Sequence, residues 1–218
     1  MEKGQIIEGR GGLYTVRDEV GECHVLRAKK KFRHERITPT VGDRVLFTPG
    51  ENEEHGWLEE ILPRVSALIR PPCANITLML IVLCPSPAPD WLLVDKLLLT
   101  AVSQNMKAAL IVNKSDLNEA LYETAKEDYR SAGVTVLRAS AANGEGLDAI
   151  RALLPGETVC LAGQSGVGKS TLINALMSLS LETGGISHIE RGRHTTRHVQ
   201  LIDAGDVHIM DTPGFSLL

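Results

Sequence analysis

Aromatic side chains are scarce, at 4% of a 218-residue chain. Apolar residues still make up 43%, so a packed core is attainable but must be mainly aliphatic, as in buried parallel sheets. Charge of one sign is also lacking. The net charge of -4 argues against wholesale nucleic-acid binding. Cysteines are few, and Cys23, Cys73, Cys84 and Cys160 form no pair at close metal-ligand spacing. No secretory signal precedes them, so four reduced thiols in a cytoplasmic protein are expected. The apolar run from Ile76 to Cys84 is far too short to span a bilayer, and no membrane is expected as a partner. No internal repeat or low-complexity tract is present.

What is present falls into two textures. In residues 1–70, QIIEG, LYTVRD, CHVLRA, DRVLFT and WLEEI are short alternating segments punctuated by glycine. This pattern predicts a small antiparallel barrel, an OB-fold or, nearly as well, an SH3-like barrel. RPPCAN (70–75) reads as a connector in which Pro71 and Pro72 stop any preceding strand. From 71 to 218 the chain alternates strands and helices. ITLMLIVLCP reads as a strand buried on both faces. Residues 90–106 and 118–132 have helical spacing, and HVQLIDAG with DVHIMDTPG reads as a strand pair. The fold class expected is α/β, a mainly parallel sheet with helices on both faces, preceded by the small all-β barrel.

GQSGVGKS (163–170) follows the apolar strand TVCLAG and enters the helix TLINALM. Gly163, Gly168, Lys169 and Ser170 fit the spacing of a phosphate loop. Glycines free the backbone to wrap an anion, and the amides of Gln164, Ser165, Gly166, Val167 and Thr171 can face it. Lys169 places a cation on the outer phosphates, and the Ser170 hydroxyl can ligate Mg2+. Downstream, DVHIMDTPG ends a strand with Asp211, which would face that metal, and Gly214, whose amide could reach a γ-phosphate. Between them, ERGRHTTRHV offers Thr195 and Thr196 as alternative metal-linked threonines.

VNKSDL (112–117) supplies a base-reader. The Asp116 carboxylate can accept from guanine N1–H and its exocyclic amine, whereas adenine leaves it badly paired. Asn113 would hold the loop, and the stem of Lys114 would pack over the ring. Ser140 and Ala141, in SAA (140–142), can offer a backbone amide to guanine O6. These motifs imply GTP and GDP as ligands. The order is unusual, because the base-reader precedes the phosphate loop. Moving the chain ends gives that order without moving any part in space, so the domain is expected to be circularly permuted. The segment after Gly214 then leads to the C-terminus, where γ-phosphate loss could be coupled to a partner.

The permuted order, with NKSD, GQSGVGKSTLIN, GRHTT and DTPGF behind a barrel ending in VGDRV and WLEEILPR, resembles the ribosome small-subunit-dependent GTPase A family. The resemblance spans essentially the whole chain. It implies an OB-fold barrel, a permuted GTPase domain and a zinc-binding C-terminal domain. It also implies action in late maturation of the small ribosomal subunit, which stimulates hydrolysis. This sequence ends at DTPGFSLL, so zinc is expected only for that absent domain. The partners expected are the small subunit and its rRNA, with a monomer in the cytoplasm.

Catalysis is expected to rest on positioning and charge stabilisation by Lys169, Mg2+ and loop amides. Phe215 stands where Ras-like enzymes carry a water-orienting glutamine, so intrinsic turnover should be slow. His194 is a candidate water-orienting residue. For RNA, RAKKKFRHER holds Arg27, Lys29, Lys30, Lys31, Arg33 and Arg36 against Glu35, with Phe32 available to stack. Arg191, Arg193 and Arg197 make the threonine segment basic as well. Two other readings compete: a GTP-dependent scaffold with negligible hydrolysis, and a P-loop kinase or ATPase, which NKSD argues against.

Overall fold

The computed structural model describes residues 1–50, 55–182, 199–204 and 207–211. Two compact units are present, the first with Met1–Ile76 as its body and the second beginning at Thr77. The first unit contains strands β1 (Glu2–Arg10), β2 (Leu13–Asp18) and β3 (Cys23–Ala28), helix α1 (Lys30–His34), and strands β4 (Arg44–Thr48) and β5 (Gly56–Ile61). The strands pair in the order β1-β2-β3-β5-β4, and β4 returns to β1, closing a small barrel. Alternation makes the closure possible. Ile6, Val16, Leu26, Val45, Phe47 and Leu58 point inward and are fully buried.

Asp43, fully buried, caps the start of β4. Arg64 reaches it with a fork, Nε donating to one carboxylate oxygen at 2.7 Å and Nη2 to the other at 2.8 Å. The Thr40 amide adds a third bond, at 2.8 Å. Asp43 in turn raises the pKa of the guanidinium. The chain leaving β5 is thereby fastened to the barrel.

The RPPCAN segment is not a plain connector. Strands β6 (Ala67–Ile69) and β7 (Pro72–Ala74) form a two-stranded antiparallel sheet. Pro72 occupies the first position of its strand, where a missing amide costs least. That position was not legible from the prolines alone.

The second unit runs β8 (Leu78–Leu83), α2 (Trp91–Ser103), β9 (Lys107–Val112), α3 (Ala120–Asp128), β10 (Thr135–Arg138), α4 (Leu147–Arg151), β11 (Thr158–Ala162) and α5 (Lys169–Glu182). Strands β12 (Gln200–Ala204) and β13 (Val207–Asp211) follow. β10, β9, β8 and β11 are neighbours in that order, and each adjacent pair is parallel. All six residues of β8 are buried, as a strand covered on both faces requires. α2 packs on β8 and β9, and its first turn is capped by Asp90, whose carboxylate accepts from the Leu93 amide at 3.0 Å. The C-terminal ends of β8, β9, β10 and β11 each feed a loop, and those four loops build the site.

Candidate nucleotide-binding site

β11 delivers the chain into the loop 163–168, and α5 begins at Lys169. The loop backbone can only be made with glycine at two tight points. Gly163 has φ +134°, and a Cβ there would sit 2.1 Å from the Val82 carbonyl oxygen. Gly168 has φ +96°, and its Cβ would meet Asn113 Nδ2 at 2.4 Å. Behind the loop, Leu172, Ile173, Leu176 and Met177 bury one face of α5. Gln164, Ser165, Gly166, Ser170 and Thr171 remain partly or fully exposed, and Val167 is buried.

The contact at Gly168 shows that the base-reading loop lies directly on the phosphate loop. Asn113 leaves the end of β9 only 2% exposed. Its Nδ2 donates to the Val167 carbonyl at 2.9 Å, and its Oδ1 accepts from the Ala141 amide at 3.2 Å. One amide side chain therefore ties together three segments far apart in sequence. Lys114 takes a left-handed backbone, φ 57°, which turns its side chain back. Its Nζ donates to the carbonyls of Gly166 and Ser86, both at 2.9 Å. Gln164 adds a further tie, accepting from the Asp90 amide at 3.0 Å.

Asp116 is exposed and lines an open cavity of about 390 Å3 with Ser115, Leu117, Asn118, Glu119, Arg138 and Glu145. Ser140 is fully buried. Its amide donates to the Glu145 carbonyl and its carbonyl accepts from the Gly144 amide, both at 2.9 Å. The hydroxyls of Ser115 and Ser140 are buried polar atoms without a hydrogen-bond partner among the described residues. Such orphans are costly, and they lie inside NKSD and SAA, the two segments that the sequence assigns to guanine.

Lys169 Nζ donates to the carbonyls of Gly163 and Gln164, each at 2.7 Å. Burial lowers its pKa, because among the described residues the desolvated ammonium is hydrogen-bonded only to neutral carbonyl oxygens. A phosphate anion would supply the missing countercharge. The cradle of loop backbone, this under-compensated cation and the orphan hydroxyls fit a nucleoside polyphosphate. Ser170, in the first turn of α5, is exposed and free of the core, as a metal-ligating hydroxyl needs. Asp211 is the last residue of β13 and is half-buried. Thr195, Thr196, His194, Gly214, Phe215, Arg191, Arg193 and Arg197 lie outside the described residues.

The basic segment of the barrel is arranged differently from the expectation. Arg27 is exposed on β3, and Lys30, Lys31 and Arg33 are exposed on or at the edge of α1. Arg36 follows it with a left-handed backbone, φ 56°. Lys29 is ion-paired with Glu59 on β5. Phe32 is 4% exposed, so it is not available to stack. A single helical turn rotates it into the barrel core, where it anchors α1. The contacts through Ser86, Gln164 and Asp90 were also not foreseen, because carbonyl partners at such separations leave no sequence signal.

Comparison with known proteins agrees with this geometry. Residues 61–218 match the family model described as RsgA GTPase, and residues 3–58 match the RsgA N-terminal domain. The small ribosomal subunit biogenesis GTPase RsgA of Geobacillus thermodenitrificans is 42% identical over 226 residues, covering 100% of this chain and 76% of the relative. The protein of the same name from Ruminiclostridium cellulolyticum is 41% identical over 225 residues, covering 99% of this chain and 73% of the relative. Among solved structures, YjeQ from Thermotoga maritima superposes with a TM-score of 0.80 at 30% identity, over 99% of this chain and 75% of that one. YloQ, described as a circularly permuted GTPase, gives 0.77 at 33% identity, over 100% of this chain and 73% of that one. The permuted order of base-reader and phosphate loop is therefore a property of the fold, and the chain belongs to the RsgA GTPase family.

Proposed function

We propose that this protein binds GTP in the loops after β8, β9, β10 and β11, hydrolyses it to GDP and phosphate, and acts in late maturation of the small ribosomal subunit. The observation that carries the reading is the fastening of Asn113 and Lys114 to the carbonyls of Val167 and Gly166. The base-reader and the phosphate-reader are thus tied together across a sequence separation of 54 residues. Asp116 accepts from the guanine edge, and the Ala141 amide, held only at 3.2 Å by Asn113, turns to guanine O6. The amides of residues 163–171 surround the phosphates.

Lys169 stabilises charge on the β- and γ-phosphates by exchanging its carbonyl partners for phosphate oxygens. Ser170, Asp211 and either Thr195 or Thr196 would hold Mg2+. A bound Mg2+ supplies neutralising charge for phosphoryl transfer. Gly214 reads the γ-phosphate and His194 orients the attacking water, a role Phe215 cannot fill. Residues 1–70 act as the RNA-facing barrel through Arg27, Lys29, Lys30, Lys31, Arg33 and Arg36, and residues 71–218 as the GTPase domain. The protein works as a cytoplasmic monomer. Among the described residues no helix is long and apolar enough to cross a membrane. The reading as a non-hydrolysing scaffold is not favoured, since the chain shares its family with proteins named as GTPases.

The test is GTP turnover with and without purified small ribosomal subunits, with Lys169→Ala as the blank. Stimulation of the wild type and none of the variant is the expected result. Turnover equal in both proteins would remove this site from the chemistry.

A further inference from the structure

The outer face of the barrel carries an aromatic surface that the nucleotide chemistry does not use. Cross-strand registers place Arg10, Leu13, Arg27, Trp57 and Thr48 in one row. Arg10 is opposite Leu13, Leu13 opposite Arg27, Arg27 opposite Trp57, and Trp57 opposite Thr48. Partners in register share a face of the sheet. Gly56 and Leu58, on either side of Trp57, are buried, so the indole points outward, and it is 45% exposed. Val25, two residues before Arg27 on the same face of β3, is 44% exposed. This chain has only two tryptophans, and it leaves this one in solvent beside a guanidinium. The helix with Lys30, Lys31 and Arg33 starts three residues after Arg27.

We propose that Trp57 and Arg27 form a stacking platform for an unpaired base of single-stranded RNA, with the cations of α1 on the adjoining phosphates. The inference rests on the reading of the barrel as its RNA-facing part, and it names the ligand and the aromatic residue. The chemistry favours RNA over a protein partner. A flat indole next to a guanidinium offers a π-face and a cation to any base, and base–aromatic stacking contributes about 1–3 kcal/mol per base. Arg27 and the cations of α1 complement a phosphate backbone, and the one carboxylate on the same face of β5, Glu59, is ion-paired with Lys29. Phe32, the other aromatic of this region, is committed to the core.

The test uses the full chain carrying Trp91→Phe, which leaves Trp57 as the sole indole. Its fluorescence is followed while a short oligouridylate, and separately inorganic polyphosphate, is added at fixed salt. Thermal unfolding checks that each variant is folded. RNA should quench Trp57 and polyphosphate should not. Trp57→Ala should weaken RNA binding about ten-fold or more, Trp57→Phe should restore most of it, and polyphosphate binding should not change. Unquenched fluorescence, with Trp57→Ala binding RNA like the parent, would overturn the proposal. So would loss of small-subunit binding by Trp57→Ala with oligouridylate affinity unchanged, which would mark a protein contact. If subunits fail to stimulate turnover while RNA still quenches Trp57, the assembly role falls and the platform stands.

Discussion

The site-bearing end of the parallel sheet and the outer face of the barrel use their polar side chains in opposite ways. In the first, Asn113, Lys114 and Gln164 spend hydrogen bonds on backbone groups of neighbouring loops, and Lys169 spends two on its own loop. In the second, Arg27, Lys30, Lys31 and Arg33 extend into solvent from a surface set by strand register. The loop cluster is tied together before any ligand arrives, whereas the barrel face leaves much of its charge exposed, with Lys29 tied to Glu59 and Lys31 lying over the Phe32 ring. A nucleotide site demands that preorganisation, because its selectivity depends on leaving wrong partners unpaired. A surface that follows a phosphate backbone depends on charge and flat area.

The contrast can be broken by perturbing each side, and the largest effect is expected at Asn113. Asn113→Ala would strand the Val167 carbonyl and the Ala141 amide. The cost should be about 3–4 kcal/mol from the two lost partners, with GTP binding weakened as the three loops separate. Denaturant unfolding and nucleotide titration together check this, and an unchanged midpoint would mean the loops hold without that side chain. Arg64→Ala is the counterpart in the barrel. Leaving the buried Asp43 carboxylate uncompensated should cost about 3 kcal/mol, read as a lower unfolding midpoint for the first unit, with GTP affinity unaltered.

A smaller effect is expected from charge reversal at Lys29, Lys30 and Lys31. Binding to small subunits should weaken, and the dependence of log K on log salt should flatten. A slope identical to the parent would exclude this segment from the contact. The smallest effect concerns pH. The hydrogen bond from Lys29 holds the Glu59 pKa below its usual value. A carboxylate lowered in the folded state adds stability above its unfolded pKa and loses it as pH falls through the folded value. Lys29→Met should therefore lower the unfolding midpoint slightly at neutral pH. The two proteins should converge only once the pH has fallen below the lowered folded-state value, where Glu59 is protonated in both states. A gap that persisted in acid would assign the difference to packing.

The same contrast explains what could be read from the sequence. The loop at 163–168 between a strand and a helix was legible because its glycines stand at fixed local spacing. β8 was legible because six consecutive buried positions leave no polar residue in the strand. The barrel was legible as alternating segments, but the use of its aromatics was not. Phe32 and Trp57 differ only in the face onto which a short helix and a strand register turn them. The ties from Lys114 to Ser86 and from Gln164 to Asp90 were illegible for another reason. They join side chains to backbone groups, which are the same in every residue. The proline-rich hairpin was missed because proline at the start of a strand looks the same as proline in a linker.

The central claim is that residues 113–116 read guanine although they precede the phosphate loop. Asp116→Asn tests it directly, because it replaces one acceptor with a donor. Guanine presents two donors at this edge, whereas xanthine replaces the amine by a carbonyl. The competing affinities of GTP and xanthosine triphosphate should be measured for both proteins. The account predicts that the wild type prefers GTP and the variant prefers xanthosine triphosphate, each by about a hundred-fold. A variant that still prefers GTP as strongly as the wild type would contradict it.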